Sequence, residues 1–149
     1  MRSLSKALFA KHVPQVLAAL GESTVGIAGA GGLGSNVAIS LARAGVGRLI
    51  IADFDRIEPS NLNRQQYFVR QIGRRKVHAL RENLRAINPF SKYTVHAVRV
   101  TRANVGRIFG DAEILVEAFD KAAVKKMLID AWLSIHPDRP IVAASGLAG

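Results

Sequence analysis

The six residues Gly29-Ala-Gly31-Gly32-Leu-Gly34 constrain this chain more than any other segment. They follow the apolar run Thr24-Val-Gly-Ile-Ala28, which reads as a buried strand. They open a helical stretch, Ser35 to Ala44, with Val37, Leu41 and Ala44 on its inner face. The G-x-G-x-x-G spacing carries meaning only in this strand–turn–helix context. Glycines permit the tight turn and let a polyphosphate approach the backbone, while the helix behind them offers free N–H groups and a positive dipole end. Asp53 closes the second strand, Arg48 to Asp53, about 20 residues past the last glycine, where a carboxylate can accept both hydroxyls of a ribose. A plainer reading stands beside this one: such a turn can serve close helix–strand packing and bind nothing.

The remaining pattern alternates in the same way. Arg75 to Ile87 places Val77, Leu80, Leu84 and Ile87 at helical spacing and is stopped by Asn88-Pro89. Tyr93 to Val100 alternates as a third strand, and Asn104 to Phe109 makes one or two helical turns. Glu113 to Ala118 reads as a fourth strand, Lys121 to Ile135 as a helix and Arg139 to Ala144 as a fifth strand. Strand–helix alternation implies a doubly wound, Rossmann-like α/β fold, with a mostly parallel sheet and helices on both faces. The continuously apolar Leu49-Ile50-Ile51 fits a strand covered on both sides. Ligands of such folds sit at the carboxyl ends of the strands.

Residues 1–22 read as a helical element, with Leu4, Leu8, Val16 and Leu20 on one side, although Pro14 complicates one continuous helix. The basic, acid-free start resembles a transit peptide superficially. Residues 23–149 read as a nucleotide-binding domain. Its ending, Ser145-Gly-Leu-Ala-Gly149, directly follows a strand, so the expectation is the N-terminal part of a longer domain or a need for a partner subunit.

Composition narrows the chemistry. With 49% hydrophobic residues a buried core is expected, yet no apolar run approaches the about 18–20 residues of a membrane helix. A soluble, cytoplasmic protein without membrane partners follows as an expectation. The absence of cysteine excludes disulfides, thiolate zinc sites and a cysteine nucleophile within this segment. His12, His78, His96 and His136 show no ligand spacing. The net charge of +10 favours anionic ligands or an acidic partner. The cations are scattered, apart from Arg74-Arg75-Lys76, and no aromatics interleave with them, so nucleic acid is not an expected partner.

The decisive segment is Asp53-Phe-Asp-Arg-Ile-Glu-Pro-Ser-Asn61-Leu-Asn63-Arg64-Gln65-Gln66. A nicotinamide enzyme would usually run straight into a helix here. A polar stretch with a Pro-Ser-Asn turn instead brings amides and a guanidinium to the strand edge. Arg64 can pair with phosphate oxygens, and Lys76, at the start of the next helix, can neutralise charge on departing pyrophosphate. Asp120 closes the fourth strand, and a carboxylate facing a triphosphate implies an intervening cation such as magnesium. The plainer readings are surface cations for Arg64 and Lys76, a helix N-cap for Asp120, a turn former for Asn63 and a turn cap for Asp55. Trp132 and Phe119 read as core.

The runs GAGGLGSN, ADFDRIEPSNLNRQQYF, IGRRKVHALRENLRAINP and VEAFDK together resemble the ThiF/MoeB/E1 superfamily, most nearly the bacterial ThiF type, from about Thr24 to Gly149. The resemblance implies an enzyme that uses ATP and Mg2+ to adenylate the C-terminal glycine of a ubiquitin-like sulfur carrier (ThiS-like, ending in Gly-Gly), works as a homodimer and releases pyrophosphate. By position, Gly29, Gly31, Gly32 and Gly34 would cradle the nucleotide, with Gly32 under its phosphates, and Asp53 would hold the ribose. Asn61, Asn63, Arg64 and Gln65 would line the phosphate path, Arg64 and Lys76 would stabilise the transition state, and Asp120 would hold magnesium. The chain departs from this pattern in having no cysteine and in carrying Lys121 where many relatives have asparagine; Arg2 matches no family arginine in context. An NAD- or FAD-dependent oxidoreductase would share the glycine turn and Asp53 but leave Asn61, Arg64 and Lys76 without roles. An inactive nucleotide-binding scaffold is the third reading.

Overall fold

A computed structural model describes residues 2–144, with side chains from residue 4 onward; the glycine-rich end Ser145 to Gly149 lies outside the described residues. Two helices, α1 (Arg2–Leu8) and α2 (Pro14–Glu22), precede the sheet. Pro14 starts the second helix, where its missing N–H costs nothing, so the expected single element is a broken pair.

The strands are β1 (Thr24–Ala28), β2 (Arg48–Ala52), β3 (Lys92–His96), β4 (Ile114–Glu117) and β5 (Ile141–Ala143). They form one sheet in the order β3-β2-β1-β4-β5, and every pairing is parallel. The helices between them are α3 (Gly32–Ala44), α4 (Lys76–Ile87), α5 (Val105–Phe109) and α6 (Ala122–Ile135). The chain winds outward from β1 to β3, then crosses to the other side of β1 for β4. Helices therefore cover both faces, and the switch point lies between β1 and β4.

Side-chain alternation divides the core in two. Ile27, Leu49 and Ile51 point toward α3 and α4, meeting Ala38, Ala42, Val77, Leu80 and Leu84. Ala28, Ile50, Ala52 and Leu115 point toward α5 and α6, meeting Val105, Phe109, Leu128 and Trp132. Trp132 is fully buried, as expected of a core residue, and its indole N–H donates to Arg139 O at 3.1 Å.

Three of the boundaries that differ from expectation bear on the strand ends and the glycine turn. β3 ends at His96 because β2 ends at its partner Ala52, so residues 97–102 leave the sheet as a loop instead of extending the strand to Val100. α3 starts at Gly32, which places Gly32 and Gly34 inside the helix. α6 starts at Ala122 with Lys121 as its N-cap and no side-chain cap bond, so Asp120 does not cap it.

Burial, with the guanidiniums of Arg107 and Arg48 nearby, lowers the pKa of His96; burial and Arg139 do the same to His136. Each imidazole is held neutral in the fold and protonates more readily in the unfolded chain. Their contribution is intact above the unfolded imidazole pKa and is lost as pH falls through the depressed folded values. The melting temperature should therefore drop between about pH 7.5 and about pH 5.5, and His96→Gln should flatten that drop. A pH-independent melt of the parent chain over that interval would contradict this.

Candidate functional site

The carboxyl ends of β1, β2 and β4 open into a cleft of about 410 Å3. At its floor the chain leaves β1 through Gly29, whose φ of +105° favours glycine and whose missing Cβ would stand 2.6 Å from Ala118 O. One turn on, a Cβ on Gly34 would stand 1.9 Å from Gly29 O. Gly34 thus lets α3 lie against the end of β1, so the plainer packing role is real for this glycine. Gly29 and Gly31 line the cleft itself.

Asp53 ties β2 to the glycine turn. Its Oδ2 accepts the Ala30 N–H at 2.8 Å, and its Oδ1 accepts the Asp55 N–H at 2.7 Å. The Tyr67 hydroxyl donates to Ala30 O at 2.6 Å on the other side of the turn. Burial, reinforced by the Asp53 charge, raises the Tyr67 pKa, so the phenol stays neutral and remains a donor. Tyr67→Phe would leave Ala30 O without this donor. The expected cost is about 1–2 kcal/mol, read as a lower denaturation midpoint at unchanged m-value. An unchanged midpoint would mean that water takes over the contact.

Lys76 begins α4 and is buried, with its side chain only 8% exposed. Its ammonium sits 3.6 Å from an Asp55 carboxylate oxygen, and its backbone N–H donates to Asp55 O at 3.0 Å. Asp55 is therefore a partner for the lysine as well as a turn residue. Asp53, Asp55, Lys76 and Asp120 all line the cleft.

The segment from Ser60 to Tyr67 folds against the N-terminus of α3 instead of lining the cleft wall. The Asn36 amide donates to Arg64 O at 2.9 Å, the Gln66 amide donates to Asn36 Oδ1 at 2.7 Å, and the Gln66 N–H donates to Ser35 Oγ at 3.1 Å. The Arg64 side chain consequently lies beside Gly32, 3.6 Å from where its Cβ would be. Its guanidinium donates to Ser60 O at 3.2 Å and to Asn63 Oδ1 at 3.0 Å. Gln65 is buried behind Gly31, with its amide nitrogen 3.7 Å from the Gly31 Cβ position. Asn61 closes its own turn: its Oδ1 accepts the Glu58 N–H at 2.9 Å. Of the residues read from the sequence, Gly29, Gly31, Asp53, Lys76 and Asp120 share the cleft. Gly32, Arg64 and Gln65 gather at the helix end next to it, Asn61 holds turn geometry, Asn63 accepts from the Arg64 guanidinium, and Gly34 packs.

Several cleft residues escaped the sequence. The loop after β3 contributes Val98, Arg99, Val100, Thr101 and Arg102, and Arg99 lies 3.8 Å over the Phe54 ring. Phe119, Val124 and Met127 form an apolar wall opposite. Phe119 packs on the core, as expected, and also faces the cleft. The only available signal was Phe54 following Asp53 outside the predicted strand. The β3 loop was hidden within an apparent alternation.

Chemically, the cleft joins a helix N-terminus, an apolar wall suited to a flat ring, a carboxylate near the glycine turn and a buried cation. Among the described residues no group of three or more His, Cys, Asp or Glu side chains could hold a metal ion. Mg2+ commonly takes one or two protein carboxylates and completes its shell with substrate phosphates and water. Asp120 alone at the cleft edge fits such a nucleotide-borne ion. Among the described residues no helix is long and apolar enough to cross a membrane.

A profile of the ThiF family matches residues 4–149. The chain is 38% identical over 122 residues to the adenylyltransferase and sulfurtransferase uba4 of Aspergillus niger, a match covering 81% of this chain and 25% of that protein. It superposes on E. coli tRNA N6-threonylcarbamoyladenosine dehydratase, TcdA, solved with AMP, with a TM-score of 0.86 at 28% identity, covering 94% of this chain and 58% of that one. The same protein solved with ATP superposes with a TM-score of 0.85. The chain thus spans about a quarter of the length of the curated relatives it matches. These relatives do not single out the bacterial ThiF type that the sequence pattern most nearly resembles.

Proposed function

Since this chain belongs to the ThiF family, we propose that it is an ATP-dependent adenylyltransferase that activates the C-terminal glycine carboxylate of a ubiquitin-like sulfur carrier protein. One observation carries the reading: the buried ammonium of Lys76 lines the same cleft as the glycine turn at the end of β1. The relatives named as adenylyltransferases, and the neighbour solved with ATP, support it.

In this reading the N-terminus of α3 and Gly31 receive the phosphates, and Asp53 meets the ribose. The carrier's carboxylate oxygen attacks the α-phosphorus. The bond from that phosphorus to the bridging oxygen breaks, and pyrophosphate leaves with the electron pair. No general base is needed, because the carboxylate is already ionised. Lys76 supplies fixed positive charge where the leaving group gains negative charge, Arg64 adds its own once turned toward the phosphates, and the rest of the catalysis is alignment. Swinging Arg64 toward the phosphates requires it to leave Asn63 Oδ1 and Ser60 O, both exchangeable surface contacts. Asp120 would hold magnesium, which when bound neutralises phosphate charge. A ThiS-like carrier and a homodimer belong to the same reading.

Exchange of labelled pyrophosphate into ATP, with and without a Gly-Gly-ending carrier protein, tests this. Carrier-dependent exchange is expected, and Arg64→Ala should lower it by about 10²-fold with the fold intact. NAD binding without ATP affinity would instead indicate an oxidoreductase. ATP binding without exchange would indicate a scaffold. A second reading is favoured by the superposition on TcdA: the activated carboxylate is carried on a tRNA nucleoside. Exchange that depends on tRNA and not on a carrier protein would select it.

A further inference from the structure

The fully buried Glu117, the last residue of β4, is used by no step above. Its carboxylate accepts three hydrogen bonds from two groups. The Phe119 N–H donates to Oε1 at 2.6 Å, and the Lys125 ammonium donates to Oε1 at 3.1 Å and to Oε2 at 2.8 Å. The same ammonium donates to Ala144 O at 3.3 Å, just past β5. Lys125 lies in the first turn of α6, where its backbone N–H donates to Lys121 O at 3.0 Å. The four residues between Glu117 and α6 are therefore fixed at both ends to one buried carboxylate, and Asp120 is among them. A buried ion pair is a weak source of net stability, since desolvation offsets its attraction. A hydrophobic pair could fill the same space but could not hold the Phe119 amide and the α6 turn at once.

We infer that Glu117 and Lys125 are positioning residues that fix the Asp120 carboxylate at the cleft edge, and so set the affinity of the nucleotide-bound protein for its divalent cation. This rests on the reading of Asp120 given above. Groups that orient a metal-binding carboxylate typically change metal affinity by about 10–100-fold when removed.

The test uses the whole chain saturated with a non-hydrolysable ATP analogue and Mn2+ as the paramagnetic probe, followed by water-proton relaxation. Nucleotide affinity is measured separately without metal, and folding is checked by circular dichroism. Lys125→Met is expected to weaken Mn2+ binding by about tenfold, as Asp120→Asn does, with metal-free nucleotide affinity unchanged, and Lys125→Arg should recover most of the loss. A role confined to stability would lower the melting temperature and leave Mn2+ affinity untouched, which would overturn the inference. If Lys125→Met fails to fold, Glu117→Asp carries the test: it keeps the charge but withdraws the carboxylate from the Phe119 amide, and a parent-like Mn2+ affinity would again overturn the inference. Unchanged Mn2+ binding in Asp120→Asn would instead sink the underlying assignment of Asp120, whatever Lys125 does.

Discussion

Lys76→Met should reduce ATP–pyrophosphate exchange by about 10²–10³-fold while leaving a folded protein. Methionine fills much of the lysine's space without its charge. The partner left behind is Asp55, whose side chain is 49% exposed and can take up water. The structural cost should therefore be about 1 kcal/mol or less, as for a pair with one hydrated member. The catalytic cost should be far larger, because a buried cation at the cleft wall stabilises developing charge without having to reorganise. Lys76→Arg should restore the charge but misplace it, since the planar guanidinium is larger than the ammonium it replaces. Exchange by Lys76→Met within about threefold of the parent would put the lysine outside the reaction and return it to a structural role.

The largest effect on the fold should come from Gly34→Ala. The added Cβ would stand 1.9 Å from Gly29 O and 2.8 Å from Gly29 C, both backbone atoms, and 3.3 Å from the Ala118 Cβ. The turn cannot easily give way. Gly29 already needs a positive φ, and the next residue is fixed by the bonds to Asp53 and Tyr67. The cost should be about 3 kcal/mol or more, together with loss of nucleotide binding as α3 is pushed away from β1. Gly21→Ala is the control: it adds a Cβ with nothing within 4 Å, near the end of α2, and should be neutral or slightly stabilising. Chemical denaturation of the two variants makes the comparison, and equal midpoints would contradict the packing described.

Most of the sheet was legible because its determinants are local. Leu49-Ile50-Ile51 has to be covered on both sides, and it is, by two separate helical layers. The glycine turn and Asp53 were legible because strand, turn, helix and acid follow one another at the required spacing, and Gly29, Gly31 and Asp53 do line one cleft. What escaped depends on partners. β3 stops at His96 only because β2 stops opposite it, and that places Arg99 and Arg102 in the cleft instead of on a strand. Asp120 reads as a magnesium ligand with a compatible plainer role as a helix cap, and the cap is excluded by the backbone of Lys121 rather than by any sequence signal. The polar block around Asn61 was recognisable as a unit. Its internal division of labour, with Asn61 shaping the turn, Asn63 holding the Arg64 guanidinium and Arg64 lying beside Gly32, required coordinates.

The claim on which the function depends is that a carboxylate oxygen attacks the α-phosphorus of ATP in the cleft between β1, β2 and β4. A carrier protein labelled with heavy oxygen in its C-terminal carboxylate tests it, with hydroxylamine present to capture the activated acyl group. Adenylation leaves one labelled oxygen in the AMP released. Label in inorganic phosphate, or in neither nucleotide nor phosphate, would contradict the account.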